Sequence, residues 1–238
     1  MSRKSQRAVG ALLVAGVMCA AGSANAQLYT FSTVDGLSGE AEFTLVNPTT
    51  VGIRLKNTST GVPVWFDNAD QLMTGISWDS GAAGVVAGDP IITGGSVLIG
   101  PTSMSLNFST GAYGPGTDVS GEYGYGNNDG SGAMYNMVSA TTAGVTPFGG
   151  ANLDDPISID GPQAGLVAGP VLVPLGGLGA IQDEILITIT LDQAIASLGV
   201  LTDRGVRVEF GSDAAFVDFP APGTLALLGL AGCWRRRR

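Results

Sequence analysis

The 238-residue chain contains no histidine, and its two cysteines, Cys19 and Cys233, lie near its ends. Residues 27–219 therefore offer neither imidazole nor thiol. That removes Ser-His-Asp and Cys-His relays, His/Cys zinc sites and haem ligation through histidine. It also denies this stretch a disulfide framework, so its stability rests on its core. Positive charge is almost as scarce. Only Arg54, Lys56, Arg204 and Arg207 are basic between residues 27 and 219, against 20 acidic residues, a net charge of −16. Such a body repels phosphate backbones, and nucleic acid is excluded as an expected partner. No Gly-Lys-Ser/Thr occurs, so there is no P-loop. The 37 glycines are scattered as turn punctuation and do not form a dinucleotide fingerprint.

What the chain has in abundance is period-two alternation. Ala41, Phe43 and Leu45 share one face, with Glu40, Glu42 and Thr44 opposite. After a turn at Asn47-Pro48-Thr49-Thr50, Ile53 and Leu55 alternate with Arg54 and Lys56, which sets acidic residues across from basic ones. Met104, Leu106 and Phe108 alternate with Ser103, Ser105 and Asn107. Ile185, Ile187, Ile189 and Leu191 share a face, as do Val206, Val208 and Phe210. One apolar and one polar face per strand marks antiparallel sheets wetted on one side. The expected fold is all-β: a single antiparallel β-sandwich, jelly-roll-like, with long Gly-rich loops over residues 111–150 and 162–179. A turn or two of helix is expected at Asp192–Leu198, with Gly199 as its stop.

Candidate binding residues lie in the loops. Asn127 and Asp129, within Gly126-Asn127-Asn128-Asp129-Gly130-Ser131-Gly132, resemble a loose calcium loop, and Asp154 and Asp155 offer further oxygens. The run lacks the spaced acids of an EF-hand, and the same residues serve ordinary turns, so both readings stay open. No cofactor other than calcium is suggested. Tyr123 and Tyr125 form a pair able to stack on sugar rings, whereas Trp65 and Trp78, beside strand-like runs, are expected in the core. No catalytic residues are singled out. A carboxylate-based hydrolase is a third reading, but no local motif selects two of the 20 acids.

The two ends read as address labels. Arg3, Lys4 and Arg7 precede an apolar run over residues 8–21, and Ala24-Asn25-Ala26 is the small-x-small pattern of signal peptidase. Residues 1–26 are therefore expected to be a signal peptide with its own helix, and Gln27 the first mature residue. Met18 occupies the place where a lipoprotein signal needs a small residue before Cys19. At the other end, Pro220-Ala221-Pro222 leads into an apolar run closed by Arg235, Arg236, Arg237 and Arg238. Arginines behind an apolar segment hold it at the cytoplasmic face of a membrane.

Residues 220–238 resemble a PEP-CTERM sorting signal, the tripartite tail of exosortase substrates: Pro220-Ala221-Pro222 for Pro-Glu-Pro, Leu225–Leu230 for the short helix, and Arg235–Arg238 for the basic end. The body is also similar to secreted proteins that carry this tail, through Leu55-Lys56-Asn57-Thr58-Ser59, the stretch from Asp70 to Ser77, the stretch from Asp160 to Val167, and the stretch from Val208 to Asp213. The resemblance implies a non-enzymatic exported protein of the cell surface or extracellular matrix, with residues 27–219 as its one domain. Signal peptidase and exosortase would process it, its tail would contact the inner membrane transiently, and exopolysaccharide would be a neighbour. A glycan- or calcium-binding module of the matrix is the alternative. Two features depart from the pattern. Ala221 replaces the central Glu, and the apolar run over residues 224–234 spans only about 16 Å as a helix against a hydrocarbon core of about 30 Å.

Overall fold

The computed structural model describes residues 25–78, 88–128, 135–141, 145–153, 159–212 and 214–219. The signal and tail helices expected from the sequence lie outside these residues, apart from Asn25 and Ala26. The described chain is mostly strand. β1 (Ala26–Ser32), β2 (Ser38–Asn47) and β3 (Thr50–Asn57) form an antiparallel meander. Its alternation is the expected one: Ala41, Phe43, Ile53 and Leu55 are buried. Glu42 lies opposite Arg54 and Glu40 opposite Lys56. The β1–β2 turn closes through Gly36, whose φ of 88° a side chain rarely adopts. At the β2–β3 turn, the Asn47 side-chain oxygen accepts the Thr49 amide at 3.0 Å, an Asx turn that leaves Pro48 free of a donor's duty.

A 3-10 turn at Asn68–Gln71 leads into β4 (Met73–Trp78), followed by β5 (Ile92–Ile99) and β6 (Met104–Leu106). Short strands follow: β7 (Gly124–Gly126), β8 (Asn136–Ser139), β9 (Thr146–Pro147), β10 (Leu166–Val167) and β11 (Ala180–Gln182). The chain ends with β12 (Glu184–Leu191), the one-turn helix α1 (Gly199–Thr202), β13 (Val206–Phe210) and β14 (Ala215–Phe219). One sheet has five strands in the order β1-β2-β3-β12-β5. The other has nine, running β6-β11-β10-β4-β8-β7-β9, with β13 also on β4 and β14 on β13. Every pairing is antiparallel except β10 with β11, which is parallel.

The apolar faces of both sheets feed one core. Phe43 of β2 stands edge-on to Trp78 of β4 at 5.9 Å, Tyr29 of β1 to Phe219 of β14 at 5.9 Å, and Phe31 to Phe210 of β13 at 6.1 Å. Each such ring contributes about 1.5–3 kcal/mol through burial. The contacts also set the relative direction of the sheets. The β1 start, opposite Phe43 and Thr44, shares an end of the body with Trp78, Val206 and Phe219, which are paired in one row. The β1 finish, near Gly39, shares the other end with Met73 and Phe210. Both ends of the described chain therefore leave from the same pole.

The outer edge of β5 is closed rather than open. Val97 donates to Ser120 Oγ at 2.9 Å and accepts from the Val119 amide, while Ile99 bonds Thr117 and Gly116. Such plugging denies a passing strand a place to pair.

Several expectations need correction. Met104 is 53% exposed, while Ser103 and Ser105 are buried, the reverse of the alternation. The serines face inward because each serves backbone amides: Ser103 Oγ accepts Glu184 N at 3.1 Å, and Ser105 Oγ accepts Tyr113 N at 2.7 Å. The helix begins at Gly199 instead of ending there. Asp192 instead accepts the Ile91 amide at 2.9 Å, and Ile195 N bonds Pro48 O at 2.8 Å, which ties this segment to the β2–β3 turn. Trp78 is in the core as expected, but Trp65 is 50% exposed.

Candidate functional site

The processing residues frame the strands. Ala26 is the first residue of β1, paired with Thr44, while Ala24 lies outside the described residues. The Gln27 side-chain oxygen accepts the Tyr29 hydroxyl at 3.0 Å and the Thr202 hydroxyl at 2.6 Å, so the start of β1 is pinned to α1. At the far end β14 stops at Phe219. Pro220, Ala221, Pro222 and Arg235–Arg238 lie outside the described residues.

Of the calcium candidates, only Asn127 is described; Asp129, Asp154 and Asp155 lie outside. Asn127 spends both ends of its amide on one residue. Its oxygen accepts Ile92 N at 2.7 Å and its nitrogen donates to Ile92 O at 2.8 Å. That closes the start of β5 and leaves Asn127 a structural task. Among the described residues no three acidic or other metal-ligating side chains converge.

The tyrosine pair is split. Tyr123 is 1% exposed, and its hydroxyl donates to Ala164 O at 2.6 Å. Burial, reinforced by the nearby charge of Glu122, pushes its phenol far above the ordinary value, so it stays a neutral donor. Its ring has no face left for a sugar, which corrects the sequence reading. Tyr125 is partly buried, tilted against Phe148 at 5.2 Å, with its hydroxyl 3.4 Å from Thr93 O. Trp65, which the sequence reading assigned to the core, faces solvent, as does Phe216 of β14.

All four cations of residues 27–219 are tied to carboxylates. Arg54, on the outer face of the five-stranded sheet, reaches Glu42 at 3.1 Å and both Glu40 and Glu184 at 3.2 Å. Burial alone would lower its pKa, but the bonds to Glu42, Glu184 and Glu40 outweigh burial and raise it. Lys56 therefore takes Asp183, at 3.7 Å, instead of the Glu40 opposite it. Arg204 pairs with Asp89. Arg207 bonds Asp218 at 2.7 Å and lies over the rings of Tyr135 and Phe216, at 5.1 and 5.5 Å. Each of these four cations thus has at least one carboxylate partner. Among the described residues, no helix is long and apolar enough to cross a membrane.

No family model matches the chain. No curated protein and no solved structure matches it either.

Proposed function

We propose that the protein is a non-enzymatic exported protein of the cell surface or extracellular matrix. In this reading residues 1–26 export it and residues 220–238 act as a PEP-CTERM-like sorting tail cut by an exosortase. Residues 27–219 are the mature product, with their two sheets stacked as one jelly-roll-like sandwich.

The observation that supports the reading is where β1 begins and β14 ends relative to the two motifs. The expected signal-peptidase cut falls after the first residue of β1, and the tail motif begins directly after the last residue of β14. The first cut would take only Ala26 from β1, and the second would take nothing from β14. Both connections also leave from one pole, so a chain held in a membrane by its tail points the rest of its body outward. The non-enzymatic part rests on the side-chain inventory. Residues 27–219 hold no histidine or cysteine, and their four cations are committed to ion pairs.

Deleting residues 220–238 tests the reading. The full chain should reach the surface or medium fraction, and the chain ending at Phe219 should stay soluble in the periplasm. Identical distribution of the two chains would count against a sorting role for the tail.

A further inference from the structure

Three loops meet at the pole opposite the chain ends. The β1–β2 turn presents Val34 and Asp35 to solvent. It is clasped to the following loop by the amides of Thr60 and Gly61, which donate to Gly36 O at 2.9 and 3.2 Å. The clasp is tight enough that a Cβ on Gly36 would stand 2.7 Å from Gly61 N. A turn closed by Phe66 N and Pro63 O, at 2.9 Å, then lifts Val64 and Trp65 outward. The third loop is brought in by Gln71, whose side-chain oxygen accepts the amides of Leu172 and Val173, with Val171 exposed beside them. Trp65 is held rather than loose. Its ring stands edge-on to Phe66 at 4.7 Å, and Phe66 in turn packs on Phe210 at 6.4 Å.

We propose that this tip binds an uncharged polysaccharide, with the Trp65 ring as the stacking platform and Asp67 and Asn68 as hydrogen-bond partners for its hydroxyls. The CH face of a pyranose matches an exposed indole face, and carboxylate and amide oxygens accept from its hydroxyl rim. Asp67 and Asn68 are exposed and follow Trp65 closely in the chain. Charge selects against acidic glycans: the tip carries Asp35, Asp67 and Asp70, and every cation of the body is engaged by a carboxylate. Size selects against a stable protein partner. Among the described residues the tip offers four exposed apolar side chains, Val34, Val64, Trp65 and Val171, whereas such interfaces take about 20–30 residues a side. A bilayer is disfavoured because insertion would desolvate Asp35 and Asp67 along with the apolar residues. The inference rests on the loops alone, since an unprocessed chain carries the same tip, so it stands or falls separately from the sorting reading.

The test is affinity electrophoresis of the full chain through native gels containing soluble β-glucan, galactomannan or dextran, with alginate as the acidic counter-probe. At least one neutral polymer should retard the protein, and alginate should not. Trp65→Ala should lower the apparent association constant about tenfold, while Trp65→Phe stays within about threefold of the parent. Phe216→Ala, which removes a half-exposed ring elsewhere, should leave retardation unchanged. Far-UV circular dichroism establishes that each variant is folded. Absence of retardation by all three neutral polymers overturns the proposal, as does retention of full binding by folded Trp65→Ala. Trp65-dependent sedimentation with phosphatidylcholine vesicles, without polysaccharide binding, overturns it in favour of a membrane tip.

Discussion

Replacing Arg54 with Met keeps an unbranched stem on the outer face of the sheet and removes the one charge that three carboxylates share. Glu40 and Glu42 are partly exposed, and water can take over their solvation at a cost of about a few tenths of a kcal/mol each. Glu184 cannot be treated that way, because its side chain is only 6% exposed. Breaking a fully buried pair costs about 3–5 kcal/mol. Arg54 itself is 28% exposed, so the estimate is reduced to about 2 kcal/mol. For a domain of this size that lowers Tm by roughly 4–8 °C. The assay is thermal unfolding by circular dichroism at pH 7. The double variant R54M/E184Q should recover most of the loss at pH 7. Equal Tm at pH 7 would refute the ion-network argument. A loss that persists in full in R54M/E184Q would assign it to packing instead.

Two further predictions concern buried or half-buried polar groups. Burial, and then the charge of Asp67, raise the Asp70 pKa above the ordinary value, with the Asp67 backbone bond opposing. The folded chain thus holds this proton more tightly than the unfolded one. Asp70 is a destabilising charge above its folded pKa and neutral in effect below the unfolded value of about 4. Asp70→Asn should therefore raise Tm slightly at pH 7 and leave it unchanged near pH 3; a lower Tm at pH 7 would contradict this. Tyr123→Phe removes the hydroxyl that bonds Ala164 O at 2.6 Å and strands a buried carbonyl. Urea denaturation should register a loss of about 1–2 kcal/mol, and an unchanged midpoint would refute the role given to that bond.

The strands that could be read from the sequence were the long ones with a single wet face. In β2, β3 and β12, alternation over eight or more residues fixes which side is buried, and a one-residue slip would invert the whole stripe; in β13 the same alternation placed Val206, Val208 and Phe210 inside, but Glu209 opposite them is buried too. The facing of acidic by basic residues across β2 and β3 followed from the same pattern, and the structure gives it the register Glu42 opposite Arg54. The ion partners of Arg54 did not follow, since a guanidinium fork reaches diagonally to Glu40 and across to Glu184. In three-residue β6, alternation carries too little weight against the backbone amides that Ser103 and Ser105 satisfy. The aromatic residues were read from their neighbours, which is the wrong guide. Tyr123 sits in a Gly-rich stretch yet is enclosed, because its ring joins the main core and its hydroxyl reaches Ala164 O. Trp65 follows an apolar run yet faces water, because the Pro63–Phe66 turn commits Phe66 to the core and turns its neighbour out.

Terminal-peptide mass spectrometry on the native protein, recovered separately from inner membrane, surface and medium, tests the central claim most directly. The account predicts a surface or medium form that starts at Gln27 and lacks the residues after Pro220-Ala221-Pro222. An intact Arg235–Arg238 end found only in the inner membrane would contradict it, and would make the tail a retained anchor.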